Sequence, residues 1–169
     1  MKKGNVVVEN PSMFDPFEIL ALEKQFSLDV KVLEKSYFDA QKRTHPDRFI
    51  GASPEVRNQV LQQSSEVNQA YVILKSPLSR GAYLLKNAGI EPLSHDPLFL
   101  GQVMDWNERM DRGENLKEEL TREEEQLLKN LKDGFDVHDY ETARRALYRL
   151  TYIQKILKKC GDDGLSSTS

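Results

Sequence analysis

Four places in this 169-residue chain put a short acceptor side chain directly before a proline: Asp15-Pro16, Ser53-Pro54, Ser76-Pro77 and Asp96-Pro97. An Asp or Ser there accepts a hydrogen bond from an orphaned N–H of the first helical turn, and proline at the next position has no N–H to leave unsatisfied. Each pair is followed by apolar residues at helical spacing. The pattern predicts helices over 16–22, 29–43, 54–74, 77–87, 97–112, 116–133 and 138–159. The alternation of a strand is missing, and Val6-Val7-Val8 is too short to weigh. The predicted fold class is all-α. A stop signal at Asn87-Ala88-Gly89 is followed by a polar, proline-containing stretch. It divides the chain into a helical unit over 14–88, a linker over 89–96 and a three-helix bundle over 97–160. The ends, 1–13 and 161–169, read as flexible tails.

Helical projection assigns faces. Val56, Val60, Val67, Ala70, Tyr71 and Leu74 form one core stripe. The helix at 29–43 places Val30, Leu33, Tyr37, Ala40 and Thr44 on one side, and Lys31, Lys35, Phe38 and Lys42 on the other. In the helix at 97–112, Phe99, Val103, Trp106 and Met110 make the core side. Leu100, Met104 and Asp111 lie beside it, with Asp105 and Glu108 further round, giving a second, mixed apolar and acidic face. The last helix carries Tyr140, Ala143, Leu147, Leu150 and Leu157 on a core side, and Tyr148, Tyr152 and Ile156 on a second stripe. Either the second stripe meets a partner, or the two together are one broad core face.

Composition excludes several chemistries. The single cysteine, Cys160, allows neither an intrachain disulfide nor a CxxC site. The three histidines, His45, His95 and His138, lack metal-ligand spacing. No phosphate-binding glycine loop is present, and no apolar run approaches the roughly 18 residues of a membrane span. The start, with two lysines and three valines, is too short for a secretory signal. The reading is a protein that is no enzyme and holds no metal or cofactor. His95 reads as a linker residue, His138 as a helix-start residue and Cys160 as an incidental thiol.

Between the basic helix and the long helix lies Thr44-His45-Pro46-Asp47-Arg48-Phe49. Taken alone, His-Pro-Asp is a turn: proline stops a helix and Asp caps the next turn. A basic helix before it, and a helix containing Val67-Asn68-Gln69-Ala70-Tyr71 and ending in Leu74 after it, resemble a J-domain. That module stimulates ATP hydrolysis by DnaK-class chaperones. Thr44 stands where such domains usually carry an aromatic residue. The resemblance implies that His45, Pro46 and Asp47, with Lys31, Lys35, Lys42, Arg43 and Arg48, contact an acidic face of the chaperone. A solvated helix face is the plainer reading of the lysines. Nucleic acid is a weaker claimant, because residues 31–48 carry five basic and three acidic side chains within a chain of net charge −3.

The next segment, Ser76-Pro77-Leu78-Ser79-Arg80-Gly81-Ala82-Tyr83-Leu84-Leu85 and then Gly89, resembles the HscB (Jac-type) co-chaperones of iron–sulfur cluster assembly. The Gly/Phe-rich linker and zinc domain of general J-proteins, and the cysteine tetrad of the family's animal members, are absent. The resemblance implies a DnaK/HscA-class chaperone and an IscU-type scaffold as partners, with no role for nucleic acid or membrane. The setting would be the bacterial cytoplasm, or the mitochondrial matrix in a eukaryote. It maps scaffold binding onto Leu100, Met104, Asp105, Glu108 and Tyr152. Gly101 replaces a family apolar position and Arg112 an acidic one, and 112–137 is shorter than usual. Two other readings compete: a J-domain joined to an adaptor for a different client, and a metal or redox enzyme using the histidines.

Overall fold

The computed structural model describes residues 14–162, with side chains to 160. Val6-Val7-Val8, the tail 1–13 and most of the tail 161–169 lie outside the described residues. Among those described, all regular structure is helical: α1 (Pro16–Ile19), α2 (Val30–Thr44), a 3₁₀ turn (Pro46–Phe49), α3 (Pro54–Lys75), α4 (Pro77–Asn87), α5 (Pro97–Asp111), α6 (Lys117–Asp136) and α7 (Tyr140–Asp162). No described helix is long and apolar enough to cross a membrane.

All four acceptor–proline pairs cap helices. Asp15 accepts from the Phe17 N–H at 2.9 Å and Asp96 from Phe99 at 3.3 Å. Ser53 accepts from Val56, and Ser76 from Ser79, both at 3.4 Å. The two aspartates are the less exposed caps, and each has a basic partner: Lys24 lies 2.6 Å from Asp15 and Arg149 lies 2.7 Å from Asp96. A charged cap removed from water needs such a counterion, whereas an exposed serine does not.

Helix ends depart from the sequence reading where backbone stops were hidden. α1 ends at Ile19 rather than 22, because Ala21 adopts a left-handed conformation (φ 52°) and the Leu22 N–H closes onto Phe17 O at 2.8 Å. Gly89 (φ 72°) closes α4 in the same way, with the Ile90 N–H on Leu85 O at 2.9 Å. His138 does not start a helix. It follows the end of α6 with φ 58°, a position usually given to glycine or asparagine, and Asp139 caps α7 by accepting from Thr142 at 3.1 Å.

The described residues form two compact units, 14–24 with 30–74, and 25–29 with 75–162. α4 packs with the second unit. The cause is α4's inner face. Leu85 is buried in the second unit's core, and an atom added at Gly81 would meet Leu147, Phe26 and Leu131 at 3.5–3.6 Å.

In the first unit Phe17, Leu20, Leu33, Ala40, Val60, Val67, Ala70 and Leu74 are buried. Val30 and Val56, assigned to core stripes by periodicity, are exposed, each lying in the first turn of its helix. α2 and α3 run antiparallel. Tyr37 stacks on Tyr71 with centroids 4.1 Å apart, and its hydroxyl donates to Asn68 Oδ1 at 2.9 Å. The run Val67–Tyr71 thus places two side chains in the core and two against Tyr37.

The second unit's core gathers Leu85 of α4, Phe99 and Trp106 of α5, Leu120, Leu127 and Leu131 of α6, and Ala143, Ala146, Leu150, Ile153 and Ile156 of α7. α6 and α7 approach most closely at Gly134, where a Cβ would stand 2.9 Å from Ala143 N and 3.0 Å from Asp139 O. Helix propensity favours alanine over glycine by about 1 kcal/mol. Overpacking costs about 1–3 kcal/mol, and here the obstructing atoms are backbone. Gly134→Ala is therefore expected to lower the unfolding free energy. A rise in the denaturant midpoint would contradict the packing.

Candidate functional site

The first set of predicted residues lies on α2 and the turn after it. Lys31, Lys35, Lys42 and Arg43 are all exposed, as is Phe38 at 57%. Among the described residues, Lys35, Lys42 and Arg43 form no ion pair. Lys42 and Arg43, in the last turn, also complement the negative end of the α2 dipole. The Thr44 hydroxyl donates back to Ala40 O at 3.1 Å, so it closes α2 upon itself.

Pro46 opens the 3₁₀ turn, and His45 caps it. His45 Nδ1 accepts from the Asp47 backbone N–H at 3.3 Å. With Nδ1 accepting, the neutral ring carries its hydrogen on Nε2. The Asp47 carboxylate stands 3.5 Å from the same Nδ1, and the two side chains are 58% and 80% exposed. An exposed donor and an exposed acceptor are thus held side by side by local backbone.

Arg48, also exposed, has a local structural role. Its Nη1 donates to Lys42 O at 2.8 Å and its N–H to His45 O at 3.1 Å. It satisfies an orphan carbonyl at the end of α2 and fastens the loop to the helix. A basic residue just beyond a helix end was the signal for this.

The second set lies in the second unit. Leu100, Met104, Asp105 and Glu108 share the outer face of α5. Met104 is 64% exposed, Leu100 is half-buried, and Asp105 lies 3.7 Å from Arg109. A Cβ at Gly101 would touch nothing within 4 Å, so the position is open. Arg112 is exposed and lies 3.6 Å from Glu114.

Tyr152 is on α7, half-buried, with its ring edge-on to Phe99 at 6.0 Å and its hydroxyl 3.3 Å from that of Tyr148. Ile156, the third member of that stripe, is buried in the core. The two apolar stripes of α7 are one broad face, with the tyrosines at its edge.

Two ionic anchors that the sequence did not reveal hold α5. Asp96 Oδ2 accepts from Arg149 Nε at 2.9 Å and Nη2 at 2.7 Å, while Oδ1 caps the helix. Arg149 holds the Asp96 carboxyl below the usual carboxylate range, and it also covers the Phe99 ring at 5.2 Å. At the other end, Glu119 accepts from Arg109 at 3.0 and 2.8 Å and from the Trp106 indole N–H at 2.9 Å. Arg109 also reaches Glu114 at 2.9 Å. The Arg109 bonds, and then the Trp106 bond, lower the Glu119 pKa. Only an alignment of tertiary neighbours could have paired residues 53 positions apart.

His95 is exposed in the non-helical segment before α5, and Cys160 Sγ lies 3.4 Å from Met110 Sδ. No group of three or more potential metal ligands occurs among the described residues.

Residues 95–161 match the family model described as the HSCB C-terminal oligomerisation domain. A co-chaperone protein HscB homolog from Neisseria meningitidis is 34% identical over 154 residues, covering 83% of this chain and 93% of the relative. The solved chaperone HscB from Vibrio cholerae superposes with a TM-score of 0.81 at 30% identity, covering 90% of this chain and 99% of that one. The crystal structure of the human co-chaperone protein HscB gives 0.83 at 28%, covering 92% and 84%.

Proposed function

Because this chain belongs to the HscB co-chaperone family, with a J-domain ahead of a C-terminal helical bundle, we propose that it brings an iron–sulfur cluster scaffold to an ATP-dependent chaperone. The J-domain engages a DnaK/HscA-class chaperone and stimulates its ATPase. The C-terminal unit holds an IscU-type scaffold. Joining both in one chain raises the scaffold's effective concentration at the chaperone. ATP hydrolysis then closes the chaperone on the scaffold and favours release or transfer of the nascent cluster. A bacterial cytoplasmic setting fits the bacterial source of the Neisseria and Vibrio relatives.

The observation that carries this reading is the exposed His45–Asp47 pair, fixed by backbone bonds at the end of a basic helix face. Lysines on α2 steer encounter with an acidic surface. Pro46 and Arg48 hold the loop in one shape, so docking loses little conformational entropy. No group on this chain needs to exchange a proton or a bond, since the chemistry belongs to the chaperone.

On the other unit, Leu100 and Met104 supply apolar contact, Tyr152 extends it, and Asp105 and Glu108 form an acidic rim. Leu100→Ala and Met104→Ala are each expected to weaken scaffold affinity by about 1 kcal/mol or more, a factor of roughly five. ATPase stimulation measured without scaffold stays at the wild-type level. Calorimetric titration with the scaffold checks this, and unchanged affinity in both variants would remove the α5 face from the interface.

A further inference from the structure

The second unit contains a groove that the α5 face does not account for. It lies along α4, residues 89–93 and α7, with a volume of about 670 Å³. Its floor is apolar, made by Leu85, Ile90, Leu147 and Tyr152 among others. Its rim is basic: Lys86, Arg144 and Lys155 stand against the lone acid Glu91. Lys155 lies 5.6 Å from the centre of the Tyr152 ring. Arg144 already has one acid, Glu141, at 2.6 Å, so Lys86 and Lys155 carry the rim's uncommitted charge.

We infer that this groove receives an extended, acidic and apolar segment of the scaffold. The inference rests on the scaffold reading above and adds a second contact to it. Three observations carry it. The first is continuity: Tyr152, one of the residues proposed above to hold the scaffold, also lines the groove.

The second is charge. The α5 face has Asp105 and Glu108 at its edge and selects a basic neighbour. The groove rim is opposite in sign and selects carboxylates. A partner spanning both must present basic and acidic elements in that order, which is more selective than either alone.

The third is shape. One wall, Glu91–Leu93, lies outside any helix, so its peptide groups are not consumed by a helical ladder and can meet an extended backbone. The apolar floor provides the affinity, and the rim fixes direction.

The test uses the full chain and an IscU-type scaffold protein. Ala82 lines the groove and is exposed, so Ala82→Trp fills the space without displacing a buried side chain. It is expected to weaken scaffold affinity at least tenfold while ATPase stimulation without scaffold stays unchanged. Lys86→Glu combined with Lys155→Glu should do the same at low salt, with a smaller loss at high salt.

Met104→Ala runs in parallel. If it weakens binding while both groove variants bind like wild type, the groove inference is overturned and the α5 reading stands. If the wild-type chain does not bind the scaffold, both are overturned. Denaturant midpoints establish folding, and should Ala82→Trp unfold, the charge-reversed variant decides.

Discussion

His45→Gln removes stimulation of the chaperone's ATPase by at least tenfold, while the protein keeps its stability and its grip on the scaffold. The ring is 58% exposed and accepts a single backbone hydrogen bond at 3.3 Å, so little folding free energy depends on it. Surface changes of this kind usually stay within about 0.5 kcal/mol. Glutamine offers polar atoms on a longer, freer side chain, and it lacks the rigid ring that the Asp47 N–H holds through Nδ1. A tenfold loss corresponds to about 1.4 kcal/mol of coupling to the chaperone. Steady-state ATP turnover at saturating co-chaperone is the measurement, with scaffold titration as the control. Undiminished stimulation would remove the J-domain assignment of the loop. Lys35→Glu should differ in kind: it raises the half-saturating concentration at low salt, and the difference shrinks as salt screens the charge.

Trp106→Ala costs the second unit about 3–5 kcal/mol. The indole is 2% exposed, packs edge-on to Phe99 with centroids 6.0 Å apart, and donates to Glu119. Trp106→Phe retains most of the apolar contact and loses the hydrogen bond. Its expected cost is about 1–2 kcal/mol, because Arg109 still satisfies the carboxylate. Urea unfolding followed by circular dichroism ranks the two variants. Trp106 is the chain's only tryptophan, so wild-type tryptophan fluorescence, excited selectively over tyrosine, originates in the second unit. Scaffold affinity should fall with Trp106→Ala, since α5 carries the proposed contact face. Equal costs for Ala and Phe would mean that the ring's packing is unimportant.

The helix starts were legible because acceptor–proline pairs act within one turn of the chain. All four caps occur, and Phe99, Trp106, Leu150 and Ala70 are buried on the faces that periodicity assigned to them. Helix ends were less legible. Ala21 and His138 hold left-handed conformations that residue type does not advertise. That α4 sides with α7 was not legible, because it rests on the packing of Gly81 and Leu85. The His45–Asp47 loop could be read because its residues are consecutive. Arg149's bond to Asp96 and the groove along α7 depend on tertiary neighbours, for which a single sequence carries no periodic signal.

Asp96 has one further consequence, for how this chain can change over generations. One carboxylate both starts α5 and clamps it to α7. Serine at 96 would preserve the first role and abandon the second, leaving Arg149 over the Phe99 ring without its counterion. Neutralising Arg149 first would leave a half-buried carboxylate without its cation. Each single step therefore passes through a less stable protein, and the two positions are free to drift only together. Gly101 on the outer face of α5, where an added Cβ meets nothing within 4 Å, carries no such constraint. Substitutions there can accumulate one at a time, while the helix beneath stays where it is.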